Sequence, residues 1–263
     1  MPRPRTVLLL FLVVFILPLA AHAVWYSLQD RPRSWSSANW ASAGLLPSPE
    51  AKPEAMVHVY AARVGRWRGI FAHHTWIVIK DKGATRYARY DKVGWGSPVR
   101  MNNWAADARW FGEVPGLVAA IEGPEAEALI PKVRAAIESY PYAAPGQYAP
   151  WPGPNSNTFV AHVLAAIPEA AIALPPTALG KDFRTDGSLA GLTPSRSGVQ
   201  VGVAGLAGLT VAWIEGLEVN VLGLVPGLDL RRPALKLPGF GRIALPLPGG
   251  VGQASAADEP ASR

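Results

Sequence analysis

The stretch "PWPGPNSNTFVAHVL", residues 150–164, changes from a proline-rich segment to a hydrophobic pattern within a few positions. Its first five residues are three prolines, a tryptophan and a glycine, and residues 155–158 are all polar. In the following segment, one face at helical spacing consists of Ser156, Val160, Val163 and Ile167. The pattern predicts a helix over about 155–167, ended by Pro168, whose first turn holds Ser156 on the face that meets a sheet.

The polar start of this helix has two interpretations. Asn155 and Ser156 can cap the helix after the proline turn, which is the commonest role of these residue types. Alternatively, the Ser156 hydroxyl lies at the positive end of the helix dipole, where unpaired N–H groups stabilise an oxyanion or a bound anion. The second interpretation requires a base. An upstream segment offers His73 and His74, and strand alternation allows only one of them to face the helix.

Three upstream segments are predicted strands of an antiparallel sheet. Residues 55–64 alternate in polarity and are β-branched, and residues 84–93 follow the turn at 81–83. Between them, residues 70–80 are apolar on both faces, which predicts a central strand. Residues 95–116 are predicted to form a loop.

A second helix is predicted over 123–141, with Pro124 and Glu125 at its start. Pro131 lies inside this pattern and indicates either a kink or a later start. Residues 174–183 are typical of a loop. The predicted fold class is therefore α+β, with an antiparallel sheet and packed helices.

The C-terminal third differs in composition from the rest of the chain. After a Ser-, Gly-, Arg- and Thr-rich break at 184–198, residues 198–230 are glycine-punctuated and β-branched, which predicts hairpins with one turn at Glu215-Gly216. Glu215 and Glu218 argue against a membrane span there. The predicted units are 1–23, a signal peptide or membrane anchor; 24–53, an extended lead-in; 54–183, the α+β core; 184–248, a β-rich extension; and 249–263, a disordered tail.

The N-terminal segment has the features of an export signal. Arg3 and Arg5 precede an apolar run over 7–17, and Ala21-His22-Ala23 has the pattern of a cleavage site. This predicts a secretory signal peptide cleaved before Val24. An uncleaved anchor is the alternative, because the apolar run can continue past Pro18. Both place most of the chain outside the cytoplasm, either in a periplasm or anchored in the inner membrane and facing the periplasm.

Composition excludes several classes of site. The chain of 263 residues has no cysteine, which excludes disulfides, zinc–thiolate sites and a thiol nucleophile. Its formal charge of +6 is spread along the sequence. The densest basic group is Arg63, Arg66 and Arg68, which indicates a solvated strand end or, alternatively, contact with an anion. The five histidines lack metal-site spacing and no nucleotide-binding motif occurs, so we expect no cofactor, no metal and no nucleic acid.

Other histidines and tryptophans have structural interpretations. His58 and His162 lack a motif partner, and a local bond from His162 to Thr158 is expected. The ten tryptophans are typical of packing. We expect the lead-in to pack through Trp25, Trp35 and Trp40, and three others to lie near a pocket beside Ser156: Trp76, Trp95 and Trp151.

Two short motifs carry a resemblance to known families. "HTWIVI" (74–79) followed by "NSNTF" (155–159) resembles the permuted papain-like fold of the PPPDE peptidases and the lecithin retinol acyltransferase group. The lead-in, the segment "WPGPNSNTF" and the C-terminal hairpins resemble more closely the bacterial domain-of-unknown-function 3750 family. The papain-like resemblance covers about 55–183 and implies a papain-like sheet, His74 as base and Ser156 at the position of the family's nucleophilic cysteine.

Serine in place of cysteine leaves two functional hypotheses. A serine hydroxyl needs a histidine to take its proton, usually with a third group that orients the imidazole. Asp91 and Tyr90 are candidates for that group. One hypothesis is an envelope hydrolase or acyltransferase acting on an amide or ester, with Ser156 and His74 catalytic. The other is a non-catalytic binding module. The predicted ligand-binding residues are Asn155, Asn157, Asp91, Trp76 and Trp151.

A third hypothesis is an integral membrane component. It rests on residues 1–23 and on the apolar C-terminal third of the chain. The expected partner is an unidentified envelope substrate or ligand, with membrane association through the N-terminus.

Overall fold

The computed structural model describes residues 3–96 and 98–245. They form two antiparallel sheets and a small number of helices, which confirms the predicted α+β class. The predicted disordered tail at 249–263 lies outside the described residues.

The N-terminal segment is one apolar helix over Pro4–Ser27. It consists of α1 (Pro4–Phe11), a π-helical turn (Leu12–Ile16) and α2 (Leu17–Ser27). By length and composition the helix is able to cross a membrane, since 24 residues span about 36 Å. The helix continues through the predicted cleavage site. Residues 24–27 are therefore helical, and Trp25 belongs to this helix and not to an extended lead-in.

The first sheet has five strands in the order β4-β3-β2-β1-β5. Their bounds are β1 (Met56–Arg63), β2 (His73–Lys80), β3 (Ala88–Lys92), β4 (Val99–Met101) and β5 (Gly116–Glu122). The three predicted strands and their antiparallel pairing are confirmed, with the predicted central strand between its two neighbours. The expected loop at 95–116 is wrong in part, because it contains β4 and the first residue of β5.

Two helices cover one face of this sheet. They are α3 (Pro124–Glu138) and α4 (Ser156–Ala165), and α3 begins at Pro124 and continues through Pro131. The buried core on this face joins both helices to alternate residues of β1 and β2: Val57, Val59, Ile77 and Ile79. The opposite face is covered by tryptophan-rich loops, which pack on Met56, Tyr60, Trp76 and Val78.

The second sheet is a seven-stranded meander in which every strand pairs with its neighbours along the chain. Its strands are β6 (Ala190–Leu192), β7 (Gly198–Val203), β8 (Ala207–Ala212), β9 (Gly216–Val221), β10 (Gly227–Asp229), β11 (Ala234–Leu237) and β12 (Gly241–Ala244). The predicted hairpins are confirmed, including a turn that ends at Glu215-Gly216.

The polarity of the second sheet is reversed with respect to a usual packed sheet. Its inner face buries polar side chains, including Gln200, Thr210, Glu218, Asn220 and Lys236. The polar groups of this inner face find partners in hydrogen bonds and ion pairs. Lys181 Nζ lies 2.5 Å from Glu218 Oε2, and Lys236 Nζ lies 2.5 Å from Glu218 Oε1. The large apolar side chains of the strands, such as Val199, Val211 and Leu235, point away from the protein interior.

Candidate functional site

The start of α4 is closed by a reciprocal cap. The side-chain oxygen of Asn155 accepts hydrogen bonds from the N–H groups of Asn157 and Thr158, at 2.9 and 3.2 Å. In return, Thr158 Oγ1 accepts from the Asn155 N–H at 3.2 Å. This capping box satisfies N–H groups that a helix otherwise leaves unpaired. Asn155 therefore serves as the N-cap, as one of the two sequence interpretations expected.

Asn157 joins α4 to the sheet. Its side-chain nitrogen donates to the carbonyl oxygens of His73 and Leu179, at 2.9 and 2.7 Å. Its side-chain oxygen accepts from the Thr75 hydroxyl at 2.8 Å. All polar atoms of this buried amide are thereby engaged within the protein, so Asn157 holds the helix in place and presents no free group to a ligand.

Ser156 occupies the first turn of α4 and is only 4% exposed. The phenol of Tyr148 is hydrogen-bonded to Ser156. Burial raises the pKa of Tyr148, and the hydrogen bond with Ser156 opposes that effect. A neutral phenol at neutral pH is not a proton acceptor for the serine hydroxyl, so Tyr148 does not supply the required base.

The expected approach of His74 to Ser156 is wrong. In β2, Thr75 faces α4 through Asn157, and adjacent strand residues point to opposite faces. His74 accordingly faces the tryptophan-rich loops, where its ring stacks on Trp110 at 3.8 Å between centroids. His74 Nε2 lies 2.7 Å from Asp91 Oδ1, so the predicted orienting carboxylate is correctly paired with His74 but on the wrong side of the sheet.

Asp91 belongs to a fully buried charge network. Its carboxylate receives two hydrogen bonds from Arg89, at 2.7 and 2.9 Å, and one interaction from His74. Although burial alone would raise the pKa of Asp91, Arg89 and His74 hold it below its usual range. Arg89 also lies 4.0 Å from the centre of the Trp76 ring. The network therefore supports the aromatic layer, and neither Asp91 nor Trp76 is accessible to a ligand.

His73 shares the α4 side of the sheet with Thr75. Its Nδ1 is buried and has no hydrogen-bond partner in the described part of the chain. Burial, together with the positive charge of Arg63, lowers the pKa of His73 to about 3. A general base works best with a pKa near the operating pH. His73 is thus neutral at pH 7 but weakly basic, and its Nδ1 has no partner among the described residues that would orient the ring.

Acidification is expected to destabilise the protein through these histidines. The folded-state pKa of His73 is about 3, against an ordinary value of 6.5, and burial also lowers the pKa of His74. Both groups therefore bind fewer protons when folded, so their contribution is fully present above about pH 6.5 and decreases at lower pH; that of His73 is lost as pH falls towards 3. Urea unfolding at pH 7.5, 6 and 5 should show falling midpoints. His73→Gln should flatten this dependence, and an unchanged slope would contradict the assignment.

The remaining predicted residues lie outside the α4 site. Trp151 is exposed, and its indole N–H donates to the Leu222 carbonyl oxygen at 2.9 Å. His58 is structural as expected, with Nε2 2.9 Å from Glu122 Oε1. The expected bond from His162 to Thr158 is wrong, because its Nδ1 lies 3.1 Å from Thr185 Oγ1. No group of three His, Cys, Asp or Glu that could hold a metal occurs within residues 3–96 and 98–245.

A tryptophan cleft lies on the opposite side of the sheet from Ser156. An open space of about 440 Å³ is lined by Trp35, Trp40, Trp95 and Trp104. Trp35 and Trp40 stack in parallel at 4.3 Å, and Trp95 meets Trp35 edge-on at 5.1 Å. Trp110 links this cleft to His74 below it. Sequence reasoning placed Trp95 beside Ser156 and treated Trp35 and Trp40 as packing only.

A comparison with family models finds a match, which spans the first sheet and the two helices packed on it. Residues 54–183 match the family described as protein of unknown function (DUF3750). The match supports the resemblance to that family and covers just under half of the chain. No curated protein and no solved structure matches the chain significantly. The DUF3750 match contains both the α4 start and the Asp91 network, whereas Trp35, Trp40 and the second sheet lie outside it.

Proposed function

We propose that this chain is a non-catalytic binding module of the cell envelope, held at a membrane by its N-terminal helix. The observation that carries the proposal is the position of His74. It is hydrogen-bonded to Asp91 on the face of the sheet opposite Ser156. The polar residues around Ser156 are used for capping and packing, which favours a structural role for the α4 start over a reactive one.

The hydrolase or acyltransferase hypothesis would need His73 as its base. His73 faces the α4 side, but its pKa of about 3 and its unpartnered Nδ1 fit poorly with proton transfer from a serine. A distant papain-like relationship remains part of the proposal. It is supported by the order of a histidine-bearing central strand before a helix that begins with Asn155, Ser156 and Asn157. In this proposal the chain has the papain-like arrangement of sheet and helix but no reactive pair of Ser156 with a histidine.

We propose the retained anchor over the cleaved signal peptide, with the chain in the inner membrane and facing the periplasm. His22, which precedes the expected cleavage site, is completely buried against Tyr26 and Phe240. Tyr26, which follows that site, donates from its hydroxyl to the Arg66 carbonyl oxygen at 3.0 Å. Cleavage before Val24 would remove one of these packed residues and cut the helix that holds the other.

The tryptophan cleft is the proposed ligand surface. Its volume is typical of small-molecule sites, and its indole rings suit a ligand with a flat apolar face. A trisaccharide of N-acetylglucosamine is a suitable probe, because a sugar ring has a C–H face that packs on indoles. Titration should shift the tryptophan emission, and Trp95→Ala should abolish the shift. Trp67→Ala is the matched control, since Trp67 is also exposed, at 59% against 47% for Trp95, but lies outside the cleft.

A fluorophosphonate probe tests the absence of catalysis. The probe labels serines that are activated by a base, and the proposal predicts no labelling of the full chain at position 156. Labelling that disappears in Ser156→Ala would instead establish an activated serine and contradict the proposal. Ser156→Ala should itself remain folded, since it removes no capping side chain: the cap is Asn155.

A further inference from the structure

The outer face of the second sheet is a continuous apolar surface. One row of paired residues crosses all seven strands, each residue directly opposite the next: Leu192, Val199, Val211, Leu217, Leu228, Leu235 and Ile243. A second row crosses four strands: Ala190, Val201, Leu209 and Val219. With neighbouring strands about 4.8 Å apart, the first row extends over roughly 29 Å.

This surface is exposed and carries no charge. In the first row, the side chains other than Leu217 are between 37% and 57% exposed. The ionisable residues of these strands are Glu218, Asp229, Lys236 and Arg242, and all lie on the inner face, where they pair with one another or with Lys181. The face of a sheet that is in contact with water usually carries polar side chains. An apolar patch of this extent marks an interaction surface.

The N-terminal helix is attached directly to this sheet. The His22 ring contacts Phe240, in the turn between β11 and β12, with centroids 5.0 Å apart. Gly239 in the same turn has no space for a side chain, since a Cβ there would lie 2.8 Å from His22 Cβ. Arg63 completes the joint by donating to the Gly239 carbonyl oxygen at 2.9 Å. The second sheet is therefore fixed to the C-terminal end of the N-terminal helix. The apolar side chains of that helix, from Val7 to Leu17, are largely exposed.

Residues at this joint are typical of a membrane–water interface. Trp25 and Trp67 are exposed beside it, and Arg66 and Arg68 flank Trp67. Tryptophan concentrates at the headgroup level of bilayers, and arginine is attracted to anionic lipids. The turn at Gly239-Phe240, held against this group, brings an edge of the second sheet to the same level.

We propose that the outer face of the second sheet lies on the surface of the bilayer that holds the N-terminal helix, with its apolar rows at the headgroup–acyl boundary. This rests on the anchoring proposed above. Lipid suits this face better than a second copy of the chain. Protein interfaces carry about one hydrogen bond per 100–200 Å² and a polar rim, whereas the side chains of these two rows offer no hydrogen-bonding group.

Site-specific fluorescence tests this proposal in the full chain, which has no native cysteine. Val201→Cys and Leu209→Cys, each labelled with a nitrobenzoxadiazole probe, would be reconstituted into vesicles of phosphatidylethanolamine and phosphatidylglycerol. We expect blue-shifted emission and at least twofold quenching when the acyl chains are brominated. Lys82→Cys is the matched control. It lies on the exposed turn after β2, about 26 Å along the strand from His73, which pairs with Arg63 of the joint, and should not be quenched.

A second label separates failure of this inference from failure of the anchor. Val13→Cys, in the N-terminal helix, should be quenched if the helix is in the bilayer. Quenching at position 13 without quenching at 201 and 209 overturns the docked sheet and leaves the anchor. Absence of quenching at position 13 overturns the anchor. Disulfide-linked dimers of Val201→Cys without lipid quenching would identify a second copy as the occupant and would also overturn the proposal.

Discussion

Asp91→Ala is expected to lower the free energy of unfolding by about 3–5 kcal/mol, because it leaves the Arg89 guanidinium buried without its counter-ion. Arg89 and Asp91 are both fully buried, and their two hydrogen bonds are the main compensation for burying the guanidinium charge. His74 would lose its partner as well, and its stacking on Trp110 should loosen. Urea unfolding of the full chain in mild detergent, followed by tryptophan emission, measures the loss.

Asp81→Ala is the matched control for this prediction. Asp81 also pairs with an arginine, Arg134, at 2.5 Å, but both side chains are exposed. An exposed pair contributes about 0–1 kcal/mol, so the control should unfold close to the unmodified chain. Equal losses for the two variants would show that the buried network does not hold the tryptophan-rich face.

Glu218→Ala is expected to have an effect of similar size, about 3–5 kcal/mol, on the second sheet. Glu218 accepts hydrogen bonds from two buried ammonium groups, those of Lys181 and Lys236. Burial alone would raise the pKa of Glu218, but the two lysines hold it below its usual range. Removal of the carboxylate would leave the buried Lys236 without its ion-pair partner and Lys181 with Asp182 alone. Thermal unfolding followed by far-ultraviolet circular dichroism should show a lower transition temperature.

The control for Glu218 is Glu169→Ala. Glu169 pairs with Lys132 between exposed side chains, so its removal should cost about 1 kcal/mol or less. If Glu218→Ala lowered the stability no more than this control, the ion network would not be what stabilises the inner face of the second sheet. The reversed polarity of that sheet would then lack its physical explanation.

Local patterns predicted much of the fold. Alternation and turn residues located β1, β2 and β3, and helical spacing located α3 and α4, since these signals depend on neighbours in sequence. The hairpins of the C-terminal third were predicted for the same reason. Which face of each hairpin strand is buried was not predicted. The strand Val199-Gln200-Val201 alternates clearly, but the polar residues are on the inside, because the lysines there are paired: Lys236 with Glu218, and Lys181 with Glu218 and Asp182.

In the candidate site, too, some features were predicted from the sequence and others were not. The capping role of Asn155 was one of two alternatives, and the nearby residue types supported both. Alternation established that either His73 or His74 faces α4, but the choice depends on tertiary contacts, namely the bond between Thr75 and Asn157. The tryptophan cleft combines residues as distant as Trp35 and Trp104, which share no motif, so no sequence pattern indicated it.

The reactivity of a thiol at position 156 tests the central claim most directly. Ser156→Cys places the only cysteine of the chain at a helix N-terminus, where a thiol beside an activating histidine would have a lowered pKa and react quickly. Alkylation by iodoacetamide at pH 7 would be followed in Ser156→Cys alone and combined with His73→Gln or His74→Gln. We expect a rate no higher than that of free cysteine, unaffected by either second substitution. A rate above that of free cysteine, with the excess lost in one of the double variants, would show an activated site and contradict the non-catalytic account.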